Sequence, residues 1–182
     1  MYKRRHIVEQ IDYARAFVAL QGLPFLLGCA AQKDCVPMEI RAACVACLST
    51  LAQNNPPVQQ ALLDLDGVHH LAEIYFEEDS DWNIKSKAVQ SINAIVRGHE
   101  AAEEAFANDH VCRLIISTGL GLVLTDQLQS KMRQGQAQAQ RVPSSLRSKC
   151  LFFLRAIICS DFTSPKRVRL FEDCLNLVIP LL

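Results

Sequence analysis

Three segments of the chain share one pattern of apolar and polar positions and align without gaps: residues 40–52, 84–96 and 146–158. Each opens with an aliphatic residue followed by a base and has a small residue at its fifth position. Each then has aliphatic residues at its ninth and twelfth positions. This spacing places the apolar side chains on one face of a helix. The pattern therefore predicts three copies of one long amphipathic helix.

A second pattern recurs between the long helices, in residues 16–27, 61–72 and 105–115, and a fourth copy begins near Leu170. Each of the first three copies is an apolar run with a short break. Gly22 and Gly67 occupy the break in the first two copies, where we predict that each glycine takes the left-handed conformation. His110 occupies the break in the third copy, which predicts a turn that is built differently.

The two patterns together predict a unit of short helix, tight corner, second helix, loop and long third helix. The period is 45 residues from Gly22 to Gly67 and 44 from Ile40 to Ile84. This is the range of two- or three-helix solenoids. Pro56 marks one helix start. The helix that enters at Ile84 can be capped by one of three residues, Asp79, Ser80 or Asp81. No segment alternates with a period of two, so we predict no sheet.

The spacing from Ile84 to Leu146 is 62 residues, which is 18 more than the repeat predicts. The excess lies in a glutamine-rich stretch at about 125–145. We interpret it as a surface insertion or as a second helix that frays into a loop, in preference to a partner contact. We therefore predict one repeat domain over residues 1–182 with this insertion. The apolar end, Val178–Leu182, indicates either that the chain is cut short or that apolar surface remains for a partner.

Composition excludes several classes of function. Lysine plus arginine equals aspartate plus glutamate, at 19 each, whereas nucleic-acid binders have a basic excess. The start shows no secretory pattern and no stretch reaches the length of a membrane span, so we expect a cytoplasmic protein without membrane contact. We interpret the eight cysteines as reduced thiols. Four of them are predicted to be small buried groups in helices, namely Cys44, Cys47, Cys150 and Cys159.

Candidate chemistry is weak throughout the chain. Cys44 and Cys47 form a CxxC in mid-helix with no second pair at zinc spacing. His70 with Glu73 offers too few metal ligands, and Cys112 near His110 lacks an orienting acid. The run at 166–169 is interpreted as a solvated helix start, in preference to an anion-binding patch. We therefore predict no catalytic residue, no metal and no cofactor, and do not expect an enzyme.

The pattern resembles armadillo repeats and, more narrowly, the Fes/heat-shock-70-binding-protein family of nucleotide exchange factors. The resemblance rests on residues 40–56, which end in Gln-Asn-Asn-Pro, on residues 85–106, which contain Val-Arg-Gly-His, and on residues 8–23. It covers about 7–120 well and 146–182 weakly. It implies an all-α, armadillo-like right-handed α-solenoid of about four repeats, with two or three helices each. It also implies a monomer that binds the ATPase domain of a 70-kDa heat-shock chaperone through its concave face and promotes ADP release.

The stripe that adjoins the aliphatic face of each third helix is expected to face this groove. For each residue of the stripe, the alternative is an ordinary solvated or capping side chain. Importins and catenins carry an asparagine near the end of the third helix, where this chain has Thr50, Ala94 and Ala156. We therefore expect a folded partner rather than an extended peptide, the alternative function being a generic armadillo adaptor for another folded protein. The candidate partner-binding residues are Thr50, Gln53, Asn54, Gln90, Asn93, Arg97, Phe152 and Arg155.

Overall fold

The computed structural model describes residues 13–122 and 142–178, and all regular secondary structure in those two ranges is helical. The predicted all-α class is confirmed. The helices are α1 (Tyr13–Ala19), α2 (Gly22–Ala31), α3 (Met38–Ala52), α4 (Pro56–Asp64), α5 (Gly67–Phe76), α6 (Trp82–Val96), α7 (Glu100–Asn108), α8 (His110–Leu120), α9 (Ser144–Ile158), α10 (Pro165–Leu170) and α11 (Glu172–Val178).

The three predicted long helices are α3, α6 and α9, each of 15 residues. Each begins two residues before its predicted segment and ends with that segment. The ninth positions of the segments, Leu48, Ile92 and Leu154, are buried. The predicted order of short, second and long helix therefore recurs as α1–α3, α4–α6 and α7–α9, and the handedness of a solenoid stays a prediction.

The corners between the short and second helices differ from the prediction. The left-handed residues are Gln21, with φ 59°, and Asp66, with φ 54°, whereas Gly22 and Gly67 are the first residues of α2 and α5. A Cβ atom on Gly67 would lie 2.8 Å from the carbonyl oxygen of Leu62. One on Gly22 would overlap the ring of Phe17. Glycine is needed there for close approach between helices and not for its φ angle.

The third corner is built differently, as predicted from His110. Asp109 precedes α8 with φ −76°, outside the left-handed region. Its Oδ1 accepts hydrogen bonds from the backbone N–H groups of Val111 at 2.7 Å and Cys112 at 3.2 Å. A side-chain cap thus satisfies the free donors at this helix start.

The chain divides into two compact units, residues 1–102 and 103–182, each of which is described by itself. In the first unit α3 packs against α2 and α6, and α5 packs against α6. The Ser91 hydroxyl of α6 donates to the Val45 carbonyl of α3 at 2.7 Å. In the second unit α8 packs on α9, and the rings of Phe106 and Phe153 have centroids 4.6 Å apart. The prediction of one domain over 1–182 stays a prediction.

Two buried arginines were not expected. Arg41 is 2% exposed; its Nε donates to the Ala30 carbonyl at 2.6 Å and its Nη2 to both carboxylate oxygens of Glu77 at 2.8 Å. Arg167 is also 2% exposed and its Nη1 donates to Glu103 at 2.8 Å. The interpretation of 166–169 as a wholly solvated helix start is therefore wrong for Arg167. Its side chain is withdrawn from water because α7 presents a carboxylate to it.

The cysteines also divide differently from the prediction. Cys44 and Cys150 are buried as expected, but Cys47 and Cys159 are exposed. The position of Cys47 corresponds to Ser91, which is buried because α6 packs on α3. Since α3 is the first long helix in the described part of the chain, no earlier long helix covers Cys47. Cys159 lies just beyond the end of α9, where the helix no longer covers it.

Two further predictions concern segments that lie largely outside the described residues. Most of the predicted insertion, residues 125–141, lies outside them, and its last residues, Ser144 and Ser145, begin α9. Pro143 precedes that helix with φ −57°, as Pro37 precedes α3 with φ −54°. The predicted apolar end beyond Val178 also lies outside the description. Among the described helices, none has the length and hydropathy to span a membrane alone, and only α1 and α2 taken together do, with a 76° bend.

Candidate partner-binding surface

The C-terminal end of α3 carries three of the predicted contact residues, and all three are exposed: Thr50, Gln53 and Asn54. The Thr50 hydroxyl donates to the Ala46 carbonyl in its own helix at 3.2 Å. Asn54 has φ 53° and occupies the turn position that Gly98, with φ 77°, occupies after α6. Asparagine tolerates this conformation better than most residues. Asn54 therefore has a role in the turn whether or not it contacts a partner.

Three more predicted residues lie on α6 or at its end, with spacings of three and four that place them on one face. Gln90 is exposed, while Asn93 and Arg97 are half-buried. The Asn93 Oδ1 atom is buried and makes no hydrogen bond. Because α6 packs against α3, the faces that carry these two groups of residues belong to neighbouring helices of one unit.

Gln59 fixes the end of α6 on which Arg97 stands. Its side chain is 3% exposed, and its Nε2 donates to the Ala94 carbonyl at 2.8 Å and the Arg97 carbonyl at 3.0 Å. These bonds satisfy two carbonyls that the helix end leaves free. The hydrogen bond from Gln59 therefore holds the backbone of Arg97 to α4. This contact fixes the position of the Cα atom that carries the Arg97 side chain.

The second unit carries the other two predicted residues, Phe152 and Arg155, on α9. Both are exposed, and Phe152 leaves 51% of its surface open to solvent. The adjacent Phe153 and Leu154 are buried. Exposed aromatic and arginine side chains of this kind are common anchors of protein interfaces.

Sequence reasoning missed several other exposed apolar side chains. Ile40 is 53% exposed, although Ile84 and Leu146, at the same position of the repeat, are fully buried. No signal in the repeat pattern could separate them, because burial there depends on whether another helix packs on that face. The remaining ones with exposures above 60% are Tyr13, Leu20 and Phe25.

The other candidate groups form ordinary surface or packing contacts. His69 is exposed and His70 is half-buried, and their ring nitrogens lie 3.5 Å and 3.4 Å from the Glu73 carboxylate. Within 13–122 and 142–178, no three His, Cys, Asp or Glu side chains are placed to hold a metal ion. Trp82 begins α6, where the Lys85 ammonium lies 5.7 Å from its ring centroid. Burial lowers the pKa of Lys85, and the negative charge of Glu77 opposes this shift.

The surface alone does not indicate a class of protein, whereas comparison with known proteins does. A Gibberella zeae protein named Hsp70 nucleotide exchange factor FES1 is 32% identical over 71 residues, covering 39% of this chain and 33% of its own. The Schizosaccharomyces pombe protein named fes1 is 36% identical over 95 residues, covering 52% and 32%. This chain is similar to Hsp70 nucleotide exchange factors. The predicted resemblance is confirmed.

A third relative of the same name, from Debaryomyces hansenii, is 26% identical over 111 residues and is matched over 39% of its length. The chain thus spans about a third of the length of the curated relatives it matches. No family model and no solved structure matches the chain.

Proposed function

We propose that this protein is a nucleotide exchange factor that binds the ATPase domain of a 70-kDa heat-shock chaperone and promotes release of ADP. The similarity to four exchange factors of that name carries the proposal. The exposed stripes on α3, α6 and α9 support it, because they offer polar, aromatic and cationic side chains on a helical scaffold. We propose that the chaperone domain contacts residues of these stripes.

The mechanism requires no catalytic residue, cofactor or metal in this chain, and we propose that it is not an enzyme. The chaperone holds ADP between the lobes of its ATPase domain, so a factor that binds a more open arrangement of the lobes shifts the population toward it. ADP then leaves faster because the open arrangement holds it less well. We further propose that the factor acts in the cytoplasm and is a monomer when free.

A folded domain is the proposed partner, in preference to an extended peptide. The positions that would carry a peptide-binding asparagine ladder hold Thr50, Ala94 and Ala156. The Thr50 hydroxyl is already engaged with its own helix, and the other two side chains have no polar atom to offer. The backbone N–H and C=O groups of a bound peptide would give up their hydrogen bonds to water and find no partners in such a groove. The cost of this desolvation would oppose binding.

ADP release tests the proposal directly. The chaperone is loaded with fluorescent ADP, excess unlabelled ATP is added, and dissociation is followed with and without this protein. We expect the protein to accelerate dissociation in a concentration-dependent manner. An unchanged rate, together with no chaperone binding in a pull-down, would overturn the proposal and leave the armadillo adaptor as the alternative.

Matched variants locate the surface. Phe152→Ala is expected to reduce the acceleration about tenfold, as removal of an interface anchor does. Phe25→Ala removes a phenylalanine outside the predicted surface that is 66% exposed, more than Phe152, and should leave the acceleration unchanged. Arg155→Ala and Arg169→Ala form a second pair, both exposed and both in the second unit. Equal effects within each pair would show that the predicted surface is not the one that binds.

A further inference from the structure

His99 lies in the turn between α6 and α7, and each of its two ring nitrogens makes a hydrogen bond. Its Nδ1 accepts from the backbone N–H of Ala102, in the first turn of α7, at 3.3 Å. Its Nε2 lies 3.1 Å from the Oε1 of Gln60 on α4. The His99 side chain is half-buried, and all three residues belong to the first unit. The ring therefore connects the start of α7 to α4.

The direction of each hydrogen bond in this chain of contacts is fixed by the groups at its two ends. At one end, the Nε2 of Gln60 donates to a carboxylate oxygen of Asp64 at 2.8 Å, and a carboxylate can only accept. Gln60 therefore presents its amide oxygen to His99. At the other end, the backbone N–H of Ala102 can only donate. These ends assign His99 as a neutral ring with its proton on Nε2 and a lone pair on Nδ1.

The Nδ1 atom acts as a cap for α7. Ala102 is the third residue of this helix, so its N–H has no partner within the helix. Carboxylates have the same role elsewhere, Asp109 at the start of α8 and Asp81 at the start of α6. Carboxylates remain acceptors in mild acid, whereas histidine gains a proton between about pH 8 and 5. The cap of α7 therefore depends on pH in a range where the other two caps do not.

We propose that His99 is a pH-sensitive switch that holds the first turn of α7 when it is neutral and releases it when it is protonated. A proton from the solvent binds Nδ1, so that both ring nitrogens become donors. The Ala102 N–H then faces another N–H group, and the positive charge of the ring lies at the positive end of the α7 dipole. The bond from Nε2 to Gln60 persists, so the contact with α4 remains while the cap of α7 is lost.

Charged groups on α4 and α6 act on the ring in both directions. Asp64 favours the protonated ring, but it is exposed and acts through the intervening amide of Gln60. Arg97, two residues before His99, opposes protonation. The two carbonyls at the end of α6 that could favour a cation already accept from Gln59. The groups on these two helices therefore do not compensate for the lost cap.

The carboxylates in the first turns of α7 do not replace the lost hydrogen bond either. Glu100 is exposed, so water and salt screen its charge. Glu103 and Glu104 are paired with Arg167 at 2.8 Å and 3.2 Å. Because protonation breaks a bond that only the folded chain makes, the unfolded chain takes up the proton more readily. The contribution of His99 to stability is thus present at pH 7.5 and is lost as the pH falls toward 5.

Nitrogen-15 NMR of the imidazole rings tests the assigned tautomer in the full chain. The His99 signals are identified by their absence from the spectrum of His99→Asn. At pH 7.5 we expect a neutral His99 ring with its proton on Nε2. A ring that carries its proton on Nδ1, or that is already charged at this pH, would overturn the proposal.

Amide hydrogen exchange tests the release of α7. Between pH 7.5 and 5.5 we expect the protection factor of the Ala102 amide, which is corrected for the intrinsic effect of pH, to fall about tenfold, because one hydrogen bond of ordinary strength is lost. The Val111 amide is bonded to the Asp109 carboxylate at 2.7 Å and should keep its protection over the same range. Unchanged protection of Ala102, or an equal fall at both amides, would contradict the switch.

Two histidine variants provide the matched comparison. Asparagine caps helix starts well and does not titrate, so in His99→Asn the Ala102 amide should be equally protected at both pH values. His110→Asn changes an exposed histidine at the start of α8 and should keep the tenfold fall of the wild type. Circular dichroism at both pH values confirms that each protein is folded. A tenfold fall in His99→Asn would assign the pH dependence to another group and overturn the proposal.

Discussion

Arg41, Lys85 and Arg147 occupy the same position in α3, α6 and α9, yet they stand in three different environments. Arg41 is buried and paired, Lys85 is half-buried, and Arg147 is exposed with its Nε donating to the nearby Val142 carbonyl at 3.0 Å. At the scale of the residue, a shared charge in the repeat therefore does not mean a shared role.

Arg41→Met tests the buried member of this set. It leaves the Glu77 carboxylate and the Ala30 carbonyl without their donor, so we expect a loss of about 3–5 kcal/mol in the free energy of unfolding. Arg147→Met, at the equivalent exposed position, should change it by less than about 0.5 kcal/mol. Urea unfolding followed by circular dichroism measures both.

The double variant Arg41→Met/Glu77→Gln separates the pair from the packing. Replacing the stranded carboxylate by a neutral amide should recover part of the lost stability, because much of the single-variant penalty comes from an unpaired charge. A double variant no more stable than Arg41→Met would show that the ion pair is not the source of the loss.

Two cysteines nine residues apart provide a second residue-scale test. Burial raises the pKa of the Cys150 thiol to about 12, whereas Cys159 is exposed. The thiolate fraction of Cys150 at pH 8 is then about one in ten thousand, so iodoacetamide should modify Cys159 and spare Cys150 in the native protein. Raising the pH toward 12 should increase the intrinsic reactivity of Cys150.

Tryptic mass spectrometry measures this difference well because the two thiols fall in adjacent peptides, residues 150–155 and 156–166. Digestion after labelling in denaturant should show both modified and serves as the control. Equal native labelling at pH 8 would mean that burial does not protect Cys150.

At the scale of the element, the joints between helices depend on close approach. Gly67→Ala places a Cβ 2.8 Å from a backbone oxygen that cannot move far, and we expect a loss of about 1–3 kcal/mol. Gly28→Ala lies on the exposed side of α2 with no atom within 4 Å of the new Cβ. It should stabilise the protein by about 0.5–1 kcal/mol, because alanine favours the helix.

Thermal or urea unfolding of the two glycine variants compares them directly. Opposite signs are the expected result. If Gly67→Ala were as well tolerated as Gly28→Ala, the second glycine of the repeat would have no steric role and the corner would depend on Asp66 alone.

At the scale of the molecule, the proposed function implies a reciprocal effect. If this protein weakens ADP binding to the chaperone, ADP must weaken the binding of this protein by the same factor. We expect a factor of about 5–150, the range of ordinary coupling energies. Titration calorimetry with nucleotide-free and ADP-loaded chaperone measures it, and equal affinities would contradict the exchange mechanism while still allowing an adaptor.

Much of the helical organisation was predictable from the chain. The positions of α3, α6 and α9 follow from spacings of three and four residues, which depend on neighbours within one helix. The starts at Pro56 and after Asp81, whose side chain accepts from the Ile84 N–H at 2.9 Å, follow from local capping chemistry. The altered turn at His110 could be predicted for the same reason.

The candidate site was predictable only in part. The periodicity indicated which side chains leave the aliphatic face, and six of the eight predicted residues are exposed, with Asn93 and Arg97 half-buried. Asn54 could not be separated from a turn residue, since its φ angle depends on how α4 follows α3. The partner came from resemblance and not from these positions.

Local sequence was therefore enough to set the helices, their register and the period of the repeat, because each depends on interactions a few residues apart. Only the tertiary structure decided which members of a repeated position are covered. Ile40 and Cys47 are exposed where their counterparts are buried, because the first long helix lacks a preceding one in the described chain. Arg41 and Arg167 are buried because carboxylates 36 and 64 residues away meet them, a contact that no local pattern encodes.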